Sequence, residues 1–117
     1  MYEVEIELLI CGINHVDGSV LILSDNESKV QIPHSIVGVE DELENVVNTI
    51  FKEYCNINIT WAGIAQIGTI KRDNSIIIQY GAFVPLETNF LKGAFTSIND
   101  IEEQTILDAL IRMSVGL

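Results

Sequence analysis

The sequence predicts an α+β fold, a mixed β-sheet sandwiched between helices, with one central amphipathic helix and one C-terminal helix. Two observations support this class. Alternating or β-branched runs fill the first third and residues 62–84, and between them residues 41–54 have the periodicity of a helix. The length of 117 residues suits one core, and 48% of the residues are hydrophobic. We therefore expect a single domain over residues 1–117.

The first third predicts one long strand followed by shorter ones. Residues 2–8 alternate between apolar and acidic side chains, which is typical of a strand with one buried and one solvated face. In residues 8–13 both faces are apolar, so this half of the strand is expected to be buried on both faces. Asp17-Gly18 predicts a hairpin turn, because Gly adopts the positive φ that such a turn needs. Residues 20–23 and 29–32 predict two further strands, the second closed by Pro33.

Residues 41–54 form the clearest element of the sequence. Their apolar members are spaced three, one, three, one and three positions apart, so all of them fall on one helical face, and the intervening positions are polar. This stripe consists of Leu43, Val46, Val47, Ile50, Phe51 and Tyr54. Asp41 and its acidic neighbours complement the helix dipole, and Asn56 is expected to be a left-handed C-cap. The segment is predicted to be a helix packed on the core.

The second half predicts a hairpin, a loop and a helix. Residues 62–70 and 76–84 are β-branched and apolar, and the polar residues 71–75 between them predict the tip of a long hairpin. Residues 85–95 are expected to form a loop. A second helix is predicted from Asn99 or Asp100, because Asp100 and Glu103 have the spacing of a capping box.

Charge and composition exclude several classes of partner. Seventeen acidic residues against six scattered basic ones give a formal net charge of −11, which argues against binding to nucleic acid or to anionic membranes. The apolar runs are far shorter than the ~20 residues that span a bilayer, and no secretory signal is visible. We therefore expect no membrane association and a cytoplasmic location.

The two cysteines do not have the pattern of a metal site. Cys11 and Cys55 have neither a CxxC spacing nor a neighbouring cluster of histidines, since His15 and His34 are the only two. We expect free, buried or half-buried thiols, with a disulfide between them as the open alternative.

The order of these elements resembles the Nudix fold, and the segment from Ile32-Pro33-His34-Ser35 to Ile57 resembles a Nudix box. That motif reads Gly, five residues, Glu, seven residues, then Arg-Glu-apolar-any-Glu-Glu-any-Gly-apolar. Aligned on Ile57, the chain has Ser35 at the first Gly, Asp41 at the first Glu, Thr49 at the Arg, Ile50 at the next Glu, Phe51 at the apolar position, Glu53 and Tyr54 at the paired Glu positions, and Asn56 at the last Gly.

The resemblance implies both a family chemistry and its loss. Nudix enzymes hydrolyse a nucleoside diphosphate linked to another group, using Mg²⁺ or Mn²⁺ held by glutamates, and hard cations need several oxygen ligands. Of the three metal-binding glutamates only Glu53 remains, while Ile50 and Tyr54 extend the apolar stripe. The box is therefore interpreted as degenerate, with an apolar site and no expected cofactor.

Several residues are candidates for a site. Glu53 is the one candidate for catalysis or metal binding, and its alternative is a solvated carboxylate on the helix flank. His34 and Ser35, in the expected loop before the helix, could contact a ligand. Trp61 and Tyr80 could stack on a nucleobase, although packing in the core is the alternative.

A second acidic group lies at the helix start and could be a rearranged metal site, or could simply complement the dipole. Its members are Glu40, Asp41, Glu42 and Glu44.

Three functions remain open at this point. The first is a catalytically degenerate Nudix-like domain that binds a small, nucleotide-like ligand or a protein partner. The second is a divergent, Mg²⁺-dependent pyrophosphohydrolase that combines Glu53 with Asp41, Glu44 or Glu87. The third is a homodimeric assembly subunit whose interface is the surface from Ile50 to Tyr54.

Overall fold

The computed structural model describes residues 2–25, 31–57 and 59–115, and of residues 114 and 115 it describes the backbone alone. The elements are β1 (Glu3–Ile13), β2 (Val20–Ser24), β3 (His34–Ile36), α1 (Leu43–Tyr54), β4 (Ala65–Arg72), β5 (Ser75–Phe83), β6 (Ala94–Ser97) and α2 (Gln104–Val115), with short 3₁₀ turns at Trp61–Gly63 and Ile98–Asp100.

The sheet is mixed, and β1 is its central strand. The strand order is β4-β5-β1-β2-β6, and β3 also pairs with β1. The β1–β5 pair is parallel, whereas every other pair in this sheet is antiparallel. The first half of β1 pairs with β3 and its second half with β2, on the side away from β5. β1 therefore joins all parts of the sheet.

Each face of the sheet is covered by one helix. On one face Ile6, Leu8 and Ile10 of β1 belong to a core with α1, and on the other face Leu9 and Cys11 belong to a core with α2. This alternation follows from the period of two along a strand. The predicted class, a mixed sheet between a central and a C-terminal helix, is confirmed.

Helix α1 uses the predicted stripe. Val47, Ile50, Phe51 and Tyr54 are buried against the sheet. The helix begins at Leu43, later than predicted, because the Asp41 carboxylate accepts a hydrogen bond from the Gly38 amide at 2.7 Å and so closes a turn before the helix.

The predicted C-cap of α1 is wrong. The C-cap is Cys55, in an extended conformation with φ −126°, and Asn56 is not left-handed. The cause is tertiary, since Cys55 forms an antiparallel bridge with Phe90, and this pairing requires extended backbone. Both cysteines are free and buried, as expected.

Both predicted hairpins are present. Gly18 has φ +73° in the turn between β1 and β2. Strands β4 and β5 pair from Ala65 to Arg72 around a turn in which Asp73 has φ +54°. The predicted strand at 29–32 lies partly outside the described residues, and its remaining positions, 31 and 32, are not in a strand.

Two further expectations need correction. The segment 85–95 is not a plain loop, because Phe90 bridges to α1 and β6 begins at Ala94. The second helix begins at Gln104, since Asp100 lies in a 3₁₀ turn capped by Ser97, whose Oγ accepts from the Asn99 amide. No helix in the described ranges is long and apolar enough to cross a membrane.

Candidate functional site

The structure separates the four predicted ligand-binding residues between the two faces of the sheet. Trp61 and Tyr80 lie together on the α1 face, with ring centroids 5.4 Å apart and planes at 50°. Tyr80 is 3% exposed, and burial raises the pKa of its phenol. Its ring therefore packs in the core and offers no free face for a base, whereas Trp61 is half-buried beside it.

His34 and Ser35 lie in strand β3 and not in a loop, because this segment pairs with β1 in the register Glu7 with His34 and Ile6 with Ser35. The His34 ring contacts the Ile32 carbonyl through Nδ1 at 3.0 Å. The Ser35 hydroxyl donates to the Ile36 carbonyl at 3.3 Å. Neighbouring residues of a strand point to opposite faces, so the His34 and Ser35 side chains lie on opposite faces of the sheet.

His34 lines a pocket of about 270 Å³ on the α2 face. Its walls come from β1, the segment leading into β3, the β4–β5 hairpin and the start of α2. The lining residues are Glu5, Ile6, Glu7, Gln31, Ile32, His34, Arg72, Ile77, Glu103 and Ile106. The pocket thus combines apolar walls with carboxylates, one guanidinium and one imidazole.

Glu7 is the most buried charged group of this pocket. It is 6% exposed, contrary to the solvated face predicted from the alternation in β1. Its Oε1 accepts a hydrogen bond from Gln79 Nε2 at 2.9 Å, and its Oε2 lies 3.5 Å from Arg72 Nη1. A buried carboxylate requires such partners, because an unpaired charge is expensive to desolvate.

Gln79 supports Glu7 from a fully buried position. The parallel register places Gln79 beside Glu7 and Ile77 beside Glu5, so both strands direct these side chains to the α2 face. Gln79 Oε1 has no hydrogen-bond partner among the described residues. A buried acceptor without a partner is unusual in native proteins.

Arg72 connects the hairpin with the start of α2. Its Nη2 donates to Thr105 Oγ1 at 3.1 Å and forms an ion pair with Glu103. The same guanidinium faces Glu7. A guanidinium presents several donors in a fixed plane, so one side chain can bind three acceptors from different elements. Arg72 therefore closes one side of the pocket and ties α2 to the sheet.

The site residues predicted from the sequence do not include the polar network at this pocket, which consists of Glu7, Arg72, Gln79, Glu103 and Thr105. One signal was available, since Gln79 is the single polar residue between three isoleucines and Tyr80. The positions of Arg72 and Glu103 depend on how α2 docks, and no local pattern encodes that docking.

The predicted box positions on α1 offer a single carboxylate. Ile50 and Tyr54 are buried in the core, whereas Glu53 is exposed and its Oε2 lies 3.9 Å from Lys92 Nζ. Over the ranges that the structure describes, no group of three or more His, Cys, Asp or Glu side chains is placed to hold a metal ion. These residues do not fit the multi-carboxylate site that the family would use for Mg²⁺.

Within the described part of the chain, the acidic group at the start of α1 does not form a metal-binding cluster either. Asp41 is engaged with the Gly38 amide, and Glu42 is the N-cap residue of the helix without a side-chain cap hydrogen bond. Glu44 lies in the first turn, where it complements the helix dipole.

Comparison with known proteins defines the fold. No protein-family model and no curated protein matches the sequence. Among solved structures, those of Nudix proteins superpose over most of the chain, and this protein has a Nudix-like fold.

Three solved structures illustrate the similarity. A MutT/nudix family protein from Enterococcus faecalis has a TM-score of 0.59 and 16% identity over 88% of this chain, which spans 42% of that protein's length. The NUDIX domain of Shewanella oneidensis NrtR, in a complex with ADP ribose, has a TM-score of 0.69 and 15% identity over 97% of this chain and 89% of the other. The C-terminal domain of mouse MUTYH, in a complex with human PCNA, has a TM-score of 0.71 and 10% identity over 99% of this chain and 90% of the other.

Proposed function

We propose that this chain is a catalytically degenerate Nudix-like domain that binds a nucleotide-like small molecule in the pocket on the α2 face and does not hydrolyse it. The observation that carries the proposal is the prearranged polar group in this pocket, in which Gln79 and Arg72 hold the buried Glu7 in place. Buried charges with specific partners in a cleft are concentrated at functional sites. The ADP ribose bound to a protein of the same fold supports the ligand class.

The side chains that line the pocket favour binding of the base of a nucleotide-like ligand. Glu5, Glu7 and Glu103 supply carboxylate acceptors, while the guanidinium of Arg72 is already engaged. Ring N–H and amino groups of a heterocycle would match these acceptors, and Ile32, Ile77 and Ile106 would cover the ring faces. A phosphate would meet like charge here, so the phosphates of a nucleotide would lie outside the pocket.

The absence of hydrolysis follows from the side chains on α1. With Ile50 and Tyr54 in the core, Glu53 is the one carboxylate left at the positions that would hold the catalytic metal. The proposed domain therefore needs no cofactor. The competing pyrophosphohydrolase would need Mg²⁺ and further carboxylates such as Asp41, Glu44 or Glu87.

Two measurements with ADP-ribose and Mg²⁺ separate these functions. Amide chemical shifts during a titration with ADP-ribose should change in β1, β3 and the start of α2, and the changes should weaken in Glu7→Gln. The control Glu53→Gln should bind like the wild type. Shift changes confined to α1, or no saturable binding, would contradict the proposed site.

The second measurement is hydrolysis of ADP-ribose, nucleoside triphosphates and dinucleoside polyphosphates with Mg²⁺ or Mn²⁺. We expect no metal-dependent turnover. Turnover that disappears in Glu53→Gln would instead establish the divergent hydrolase.

Protein binding and homodimerisation remain the alternatives for this fold. A protein partner is consistent with the complex of the MUTYH domain with PCNA. The surface from Ile50 to Tyr54 is a weaker basis for a dimer than expected, since Ile50, Phe51 and Tyr54 are buried within the chain itself. Light scattering at high protein concentration tests this alternative, and a monomer would exclude it.

A further inference from the structure

The segment from Pro85 to Gly93 is fixed against the end of α1 by backbone contacts. The Leu91 amide donates to the Tyr54 carbonyl at 2.7 Å, and Phe90 forms a bridge with Cys55. Phe90 also packs edge-on against Phe95, with ring centroids 4.8 Å apart. Lys92 is therefore held next to the last turn of the helix.

Gly93 allows the backbone that follows Lys92 to pass close to the end of β2. It has φ +77°, and a Cβ atom there would lie 2.7 Å from the Ser24 carbonyl oxygen at the end of β2. A residue with a side chain could not adopt this backbone without strain or displacement. The backbone position of Lys92 is thus fixed by Leu91 on one side and by Gly93 on the other.

The ammonium of Lys92 faces two side chains of α1. Nζ lies 3.9 Å from Glu53 Oε2 and 4.6 Å from the centroid of the Tyr54 ring. A cation over an aromatic face is attracted by the ring quadrupole, so a single ammonium can serve both groups. Asp25 is a further acidic residue whose charge acts on Tyr54 and Lys92.

We propose that the Lys92 ammonium neutralises Glu53 and holds the segment from Pro85 to Gly93 against α1. As a result, this end of the helix does not bind a divalent metal ion. A divalent cation would find no cluster of three acidic side chains there among the described residues, and it would have to displace the Lys92 ammonium from Glu53. The inference concerns the α1 face and does not depend on the pocket on the α2 face.

Hydrogen exchange tests whether Lys92 holds this segment against α1. In Lys92→Met, the Leu91 amide should exchange about three- to fivefold faster than in the wild type, because an exposed ion pair and a cation–π contact are each weak. Lys71→Met is a matched control, since Lys71 Nζ lies over the Tyr2 ring at a similar distance of 4.7 Å, in a different part of the fold. This control should leave the Leu91 amide unchanged. Equal exchange in Lys92→Met and the wild type would overturn the proposal.

A titration with Mn²⁺, followed by paramagnetic broadening of amide signals, tests the exclusion of metal. The wild type should show no selective broadening around Glu53 at submillimolar Mn²⁺. Lys92→Glu, which adds a second carboxylate beside Glu53, should show it. Selective broadening in the wild type that is lost in Glu53→Gln would overturn the proposal.

Discussion

Removal of the Arg72 guanidinium should destabilise the fold and loosen the start of α2. In Arg72→Met the ion pair with Glu103, the hydrogen bond to Thr105 and the contact with Glu7 are lost together, while the aliphatic stem is largely retained. The expected loss in the free energy of unfolding is the sum of the contributions of these three contacts.

The exposed pair with Glu103 contributes roughly 0.2 to 1 kcal/mol, and the hydrogen bond to Thr105 contributes about 0.5 to 1.5 kcal/mol. The buried Glu7 carboxylate without its cation costs about 1 kcal/mol, at the low end of its range because Gln79 still donates to it and the Arg72 side chain is 37% exposed. The expected loss in the free energy of unfolding is about 2 to 3 kcal/mol. For a domain of this size, that loss lowers Tm by roughly 8 to 12 °C.

Urea unfolding followed by circular dichroism measures this loss. The matched control is Lys52→Met, an exposed lysine of α1 without an ion pair to any described residue, and its effect should stay within about 0.5 kcal/mol. A double-mutant cycle with Glu103→Gln should show coupling between Arg72 and Glu103. A loss below about 0.5 kcal/mol in Arg72→Met would refute the view that this side chain ties α2 to the sheet.

Three other predictions follow from the core and the turns. Burial raises the pKa of the Cys11 thiol from 9.0 to about 12 and that of Cys55 to about 11, so the unfolded chain loses these protons first and the free energy of unfolding should fall as the pH rises above 9. Urea unfolding between pH 8 and 10 checks this fall, and rising stability would contradict it. Gly93→Ala should destabilise more than Gly18→Ala, because both have positive φ but only the first places a Cβ against backbone. Equal losses in thermal unfolding would refute this reasoning. Phe51→Ala should cost about 3 to 5 kcal/mol, and a loss under about 1 kcal/mol in denaturant unfolding would mean that the cavity collapses.

The fold was largely predictable because its main elements have strong local periodicity. The stripe from Leu43 to Tyr54 identified α1 and its buried face, and the turn at Gly18 identified the first hairpin. The end of α1 was mispredicted because the extended conformation of Cys55 is imposed by Phe90, which lies 35 positions further along the chain.

The site was less predictable than the fold. Alternation in β1 placed Glu7 on the opposite face from Ile6, but it could not show that α2 covers part of that face. Of the predicted ligand-binding residues, His34 lines the pocket, whereas Tyr80 is in the core. The network around Arg72 joins residues separated by 33 and 65 positions, and such contacts arise from packing and have no local signature.

The central position of β1 has a consequence for how the chain folds. The parallel ladder with β5 joins partners 72 positions apart, beginning with Glu3 and Ser75. Closing so long a loop costs entropy before any contact of the ladder forms, so this step should be slow compared with formation of α1 or of the β4–β5 hairpin. During synthesis, β1 cannot pair with β5 until most of the chain has been made. Until then its edge toward β5 stays unpaired, and the acidic residues at positions 3, 5 and 7 would disfavour pairing of that edge with another nascent chain.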